Sequence, residues 1–115
     1  MTYVDGVVAA VPKANKDQYL KHATLAAAIF RKHGALSVTE CWGNDVPEGK
    51  NNSLHTAVMR KDDEEIVFSW IKWPSKEVRD AGWAKIMEDP EMQKHEMPFD
   101  GSRMIFGGFD VMMEA

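Results

Sequence analysis

Cysteine is almost missing from this chain: Cys41 stands alone in 115 residues. No disulfide can close within the chain, and a reducing, cytoplasmic home is expected. Long apolar runs are also missing. The longest, such as Leu25 to Phe30, fall far short of the ~20 residues that span a bilayer, so no membrane partner is expected. Basic charge is in deficit, with 14 Lys and Arg against 18 Asp and Glu and a net charge of −4. A chain without a basic stripe is not expected to hold a phosphate backbone, and nucleic acid is set aside as a partner. No basic stretch precedes an apolar core at the N-terminus, and Asp5 and Gly6 interrupt the run from Val4 to Val11, so a signal peptide is not expected.

The motifs that hold metals, cofactors and nucleophiles are absent in the same way. His22 and His33 are eleven residues apart, about 16 Å along a helix axis at 1.5 Å per residue, and cannot chelate one ion together. His55 and His95 lie in other segments, with no H-x-x-x-H or paired-cysteine spacing. The glycines follow no phosphate-binding pattern, and no serine sits in a nucleophile elbow. No metal and no cofactor is expected.

What is present is 44% hydrophobic and 28% charged residues, ordinary for one folded domain over residues 1–115. Tyr3 to Val11 predicts a strand stopped by Pro12. Asn15 supplies an N-cap with Gln18 three residues on, and Tyr19, Ala23, Ala26, Ala27 and Phe30 then recur at helical spacing until Gly34. Leu36 to Trp42 predicts a second strand. Leu54, Ala57 and Val58 suggest a short helical turn, with a strand as the alternative, and Lys61 to Glu65 reads as a solvated turn. Ile66 to Trp73 is a third strand ended by Pro74. Ser75 caps a helix with Val78, Gly82 and Ile86 on one face, and Asp89 before Pro90 opens another short helix. Met97 to Gly101 is loop, and Met104 to Met113 is the fourth strand. This order suits an α+β, ferredoxin-like βαββαβ domain whose four-stranded antiparallel sheet has the order 4-1-3-2.

Ile66 to Trp73 and Met104 to Met113 are apolar at odd and even positions alike. A strand shows alternate side chains to opposite faces, so both faces of this sheet must be covered. Two long helices cover one; a second copy of the chain is the expected cover for the other, with a long loop as the alternative. In the 4-1-3-2 order the last strand is an edge, where Ile105, Phe109, Val111 and Met113 share one face and Met104, Phe106 and Met112 the other. Free edges are normally polar or charged, so a homodimer burying well over ~1,000 Å² is expected. Gly107 and Gly108 would weaken a strand interior and predict a bulge or a close backbone contact there, where the strand bends toward its partner.

Glu40 is the first candidate for chemistry. It shares a strand face with Leu36, Val38 and Trp42, where a carboxylate is partly desolvated, its pKa raised, and its role either proton transfer or a buried pair with Arg79 or Arg103. His22 or His33 is the alternative base, beside the plain reading of a solvent-facing or capping histidine. Arg79 with Asp80 and Asp100 with Arg103 read first as ion pairs holding loops, and second, with Trp42 and Trp70, as ligand-binding candidates. Asp5 and Asp110 interrupt apolar strands and, as neighbours, would need a shared proton or a bridging arginine. Trp42, Trp70, Trp73 and Trp83 with Phe68, Phe99 and Phe106 supply either core or a pocket for a flat organic ligand. Two functions therefore stand side by side: binding of a small apolar or aromatic molecule, and a cofactor-independent oxygenase or isomerase-like enzyme with Glu40 or a histidine as base. An interaction module without a ligand is a third.

Three motifs carry a resemblance. They are Glu40-Cys41-Trp42-Gly43-Asn44-Asp45-Val46-Pro47, then Phe68-Ser69-Trp70-Ile71 leading into Trp73-Pro74-Ser75 and Arg79-Asp80-Ala81, then Met97-Pro98-Phe99-Asp100-Gly101 with Arg103-Met104-Ile105-Phe106-Gly107-Gly108-Phe109. In this order, over essentially the whole chain, the sequence resembles the uncharacterised bacterial YbaA-like family, domain of unknown function 1428. The resemblance implies a dimeric α/β barrel made of two ferredoxin-like sheets, and it implies no activity. The wider barrel superfamily includes cofactor-independent oxygenases and small isomerases, which is analogy of fold alone.

Overall fold

β1, Tyr3–Pro12, is the spine of the sheet. It pairs antiparallel with β3, Glu64–Trp73, on one side and with β4, Ile105–Asp110, on the other. β2, Ser37–Trp42, pairs with β3 and closes the far edge, giving one four-stranded antiparallel sheet in the order β2-β3-β1-β4. The helices are α1, Lys16–Lys32; α2, Leu54–Ala57; α3, Lys76–Glu88; and α4, Pro90–Gln93. The chain is thus α+β, and the computed structural model describes residues 2–115.

Register sorts the side chains, because partners across an antiparallel ladder point to the same face. Tyr3, Asp5, Ala9 and Val11 share a face with Val67, Ser69, Ile71 and Trp73 and with Val38, Glu40 and Trp42. The two long helices cover that face. Tyr3, Ile71 and Trp73 are buried with Ile29 and Phe30 of α1 and Ile86 of α3, while Val11 and Val67 are buried with Tyr19 and Ala23 of α1. On the opposite face Val8, Ala10 and Ile66 are sealed by Val58, just past α2, with Val46 packed against them. The rest of that face is open: Phe68 is 46%, Ile105 44% and Phe109 61% exposed.

Local chemistry sets the helix ends. Ser53 and Thr56 form a capping box at α2, Ser75 accepts from Val78 N at α3, and Asp89 accepts from Glu91 N at α4 with Pro90 in the first turn. Past α1, Gly34 takes φ +112°, a conformation that favours glycine. Gly82 lets α3 approach closely, since a Cβ there would sit 2.6 Å from the His33 carbonyl oxygen and 2.7 Å from Trp73 Cζ3.

Several expectations are corrected. Asn15 does not cap α1 with its side chain; Nδ2 instead donates to the Pro98 carbonyl at 2.9 Å. Lys61 to Glu65 is not wholly a solvated turn, because Glu64 begins β3 and is buried against Arg103. The last strand ends at Asp110, short of Met113. Gly107 and Gly108 make no bulge, for both pair in unbroken register with Gly6 and Asp5. They leave room for rings: a Cβ on Gly107 would touch Phe109, and one on Gly108 would overlap Tyr3. Trp70 is half-buried on the open face, edge-on to Phe68 at 5.9 Å, and is not packed on both sides.

Candidate functional site

α1 crosses the β2 edge with Tyr19 in its second turn, and Glu40 lies opposite Ser69 on the face below. This brings the Tyr19 hydroxyl to Glu40, where Oη donates to Oε1 at 2.7 Å. Beside the pair opens a cavity of about 120 Å³, walled by Leu20, Ala23, Trp42 and Val67, with Lys16 and Asp17 at its rim. Lys16 Nζ stands 5.3 Å from the centre of the Trp42 ring, within cation–π range.

Glu40 is accessible as a residue at the sheet edge, but its carboxylate tucks against α1. Loss of water raises its pKa above the ordinary carboxylate value, with hydrogen bonds from Tyr19 and Ser69 working the other way. Burial, then the hydrogen bond to Glu40 and its charge, push the Tyr19 phenol far above its usual value. The shared proton therefore stays on Tyr19. Oε1 of Glu40 is thereby occupied.

The expected arginine partners of Glu40 are engaged elsewhere, which overturns that pairing. Asp5, buried on the helix face, receives Arg79 Nη2 at 2.7 Å and the indole Nε1 of both Trp73 and Trp83 at 2.9 Å each. Arg79 also lies over the Tyr3 ring and reaches Asp80 at 3.0 Å. Asp5 and Asp110 are not direct partners, since Asp5 faces Gly108 and Asp110 faces Tyr3. Arg103 grips Glu64 through two bonds of 2.7 and 2.6 Å, and also bonds Asp100 and the Met59 carbonyl. These networks join strand to helix and loop to strand.

The histidines separate as well. His33 Nε2 meets Asp89 at 2.9 Å and ties the end of α1 to the start of α4. His22 faces His95 across a surface hollow of about 480 Å³. Among the described residues no group of three or more His, Cys, Asp or Glu side chains could hold a metal ion, and no helix is long and apolar enough to cross a membrane. Of the residues singled out by sequence, the structure places Glu40 and Trp42 at the cavity. Arg79, Asp100, Arg103, Trp70, His22 and His33 all lie outside its lining. Tyr19 was missed, because at helical spacing among alanines it reads as core.

A small α+β domain with one polar pair at an apolar cavity is the class that fold and site define. The family model described as "Protein of unknown function (DUF1428)" matches residues 2–101, and the chain belongs to that family. It is similar to the uncharacterized protein YbaA of Escherichia coli strain K12, at 52% identity over 116 residues covering 99% of each chain. The same identity and coverage relate it to YbaA of Shigella flexneri. Neither the family's description nor the relatives' name specifies an activity.

Proposed function

We propose that the chain pairs with a second copy as a homodimeric α/β barrel of two ferredoxin-like sheets and binds a small apolar or aromatic molecule at Tyr19, Glu40 and Trp42. The cavity carries this reading, because apolar walls with a few convergent polar groups are the usual makeup of a small-molecule site. A dry apolar cavity of about 150 Å³ is enough for benzene. The hollow here, about 120 Å³ and partly open to solvent, has room for most of one ring. Because Tyr19 donates its proton to Glu40, the Tyr19–Glu40 end of the cavity presents acceptor oxygens, while the Lys16 ammonium stands beside Trp42. A neutral ligand with one donor, a phenol being the simplest, suits the acceptor end.

The pairing is supported by the open face of Phe68, Ile105 and Phe109 and by Phe106, 74% exposed on the free edge strand. A cytoplasmic setting fits the free thiol of Cys41. One observation favours a second reading, in which Glu40 is the base of a cofactor-independent oxygenase or isomerase: burial moves its pKa toward that of a working general base.

Native mass spectrometry and light scattering test the proposal together. Twice the 13.0 kDa chain mass is expected, with one phenol taken up per chain and with monomer or aggregate after Phe109→Asp. A clean monomer at micromolar concentration rejects the assembly, and no added mass at millimolar phenol rejects the binding. Turnover of the bound phenol in air, lost in Glu40→Gln, selects the enzyme over the simple binder.

A further inference from the structure

Nδ1 of His22, on α1, is sealed from solvent without a hydrogen-bond partner. Its ring meets His95 edge-on, with centroids 6.0 Å apart. His95 belongs to the segment 94–99 that follows α4, and two more contacts tie this segment to the first helical region. Asn15 Nδ2 donates to the Pro98 carbonyl at 2.9 Å, and the Phe99 ring packs 5.7 Å from that of Tyr19. The charged groups at the same hollow are Lys21 on α1 and Glu96 on the segment, while Tyr19 stands 6.3 Å from the His22 ring and keeps its proton. Lys94 turns to Glu91 at 3.6 Å. One carboxylate thus faces one ammonium and two imidazoles.

We propose that residues 94–99 form an acid-released strap: protonation of His22 drives the segment off α1, withdraws Phe99 from Tyr19 and loosens the Tyr19–Glu40 pair. Charging His22 adds a cation beside Lys21 and the His95 ring with only Glu96 to offset it, and His22 has no acceptor waiting at Nδ1. The direction follows from linkage. Burial, then His95, lowers the His22 pKa in the closed state, so the closed strap binds fewer protons than the open one. Its stability is complete above the ordinary imidazole range and is lost as pH falls through the lowered value.

The nuclear Overhauser contact between the Phe99 and Tyr19 rings of the intact protein reads the strap without any ligand and so stands apart from the binding proposal. Opening should increase about tenfold per pH unit for each proton taken up. Between pH 7.5 and 5 this contact should be lost further in the wild type than in His22→Gln. Equal pH dependence in the two proteins overturns the strap. If His22→Gln is unfolded by circular dichroism at pH 7.5, His22→Asn supplies the same comparison, and a wild-type profile in that variant overturns it equally.

Discussion

Asp5→Asn is the sharpest test of how the helices are locked to the sheet. Asp5 is 5% exposed and accepts from two indoles and from Arg79 through Nε and Nη2. Asparagine keeps one acceptor oxygen but turns an NH₂ group toward donors, so at least one indole or guanidinium N–H loses its partner and the arginine loses its counter-ion. Breaking a buried pair from one side costs about 3 to 5 kcal/mol. The Arg79 side chain is 23% exposed and retains Asp80 at 3.0 Å, which lowers the expectation, to about 2 to 4 kcal/mol. At roughly 4 °C per kcal/mol for a domain of this size, the melting temperature should fall by about 8 to 16 °C. Urea denaturation should show the same loss with an unchanged slope. In the double variant Asp5→Asn with Arg79→Met the loss should be smaller than the two single losses added together. A loss below about 0.5 kcal/mol, the range of ordinary surface changes, would mean that water satisfies this network and that the lock does not exist.

Gly82→Ala should cost about 1 to 3 kcal/mol, because its methyl meets the His33 carbonyl and the Trp73 ring; a neutral result in thermal melts would show that α3 can shift freely. Glu40→Gln should leave the melting temperature unchanged or higher, since the amide oxygen still accepts from Tyr19 while a desolvated charge is removed. A marked fall there would mark Glu40 as a structural anchor. Glu64 titrates below its ordinary value, chiefly through the hydrogen bond from Arg103. Its stabilising effect is present above the ordinary carboxylate pKa and lost as pH falls through the lowered one, so Glu64→Gln should flatten the acid limb of a stability-against-pH curve. An unchanged limb would assign acid sensitivity to other carboxylates.

The strands and helices were legible because hydrophobic period and punctuation are local properties. Ser75 and Asp89 with Pro90 announced their helices from within a few residues. What escaped depends on contacts far apart in the chain. Glu64 sits in a run of charges that reads as solvent-exposed, yet Arg103, 39 residues on, takes both of its oxygens. Trp73 and Trp83 read as core or as pocket lining, and neither reading shows that their indole N–H groups converge on Asp5. The paired glycines of β4 suggested a bulge, since sequence cannot show that the rings of Tyr3 and Phe109 need their space. At the cavity, Glu40 and Trp42 stood out as polar and aromatic residues on an apolar strand face. Tyr19 could not be told from a core residue without its partner.

Titration of phenol into isotope-labelled protein, followed by nuclear magnetic resonance at the Trp42 indole and the Leu20 and Ala23 amides, tests the binding site most directly. Saturable shifts confined to these residues are expected, and they are lost in Glu40→Leu, which removes the acceptor. Shifts that never saturate, that spread over the open face at Phe68 and Phe109, or that survive unchanged in Glu40→Leu would contradict a ligand site at Tyr19, Glu40 and Trp42.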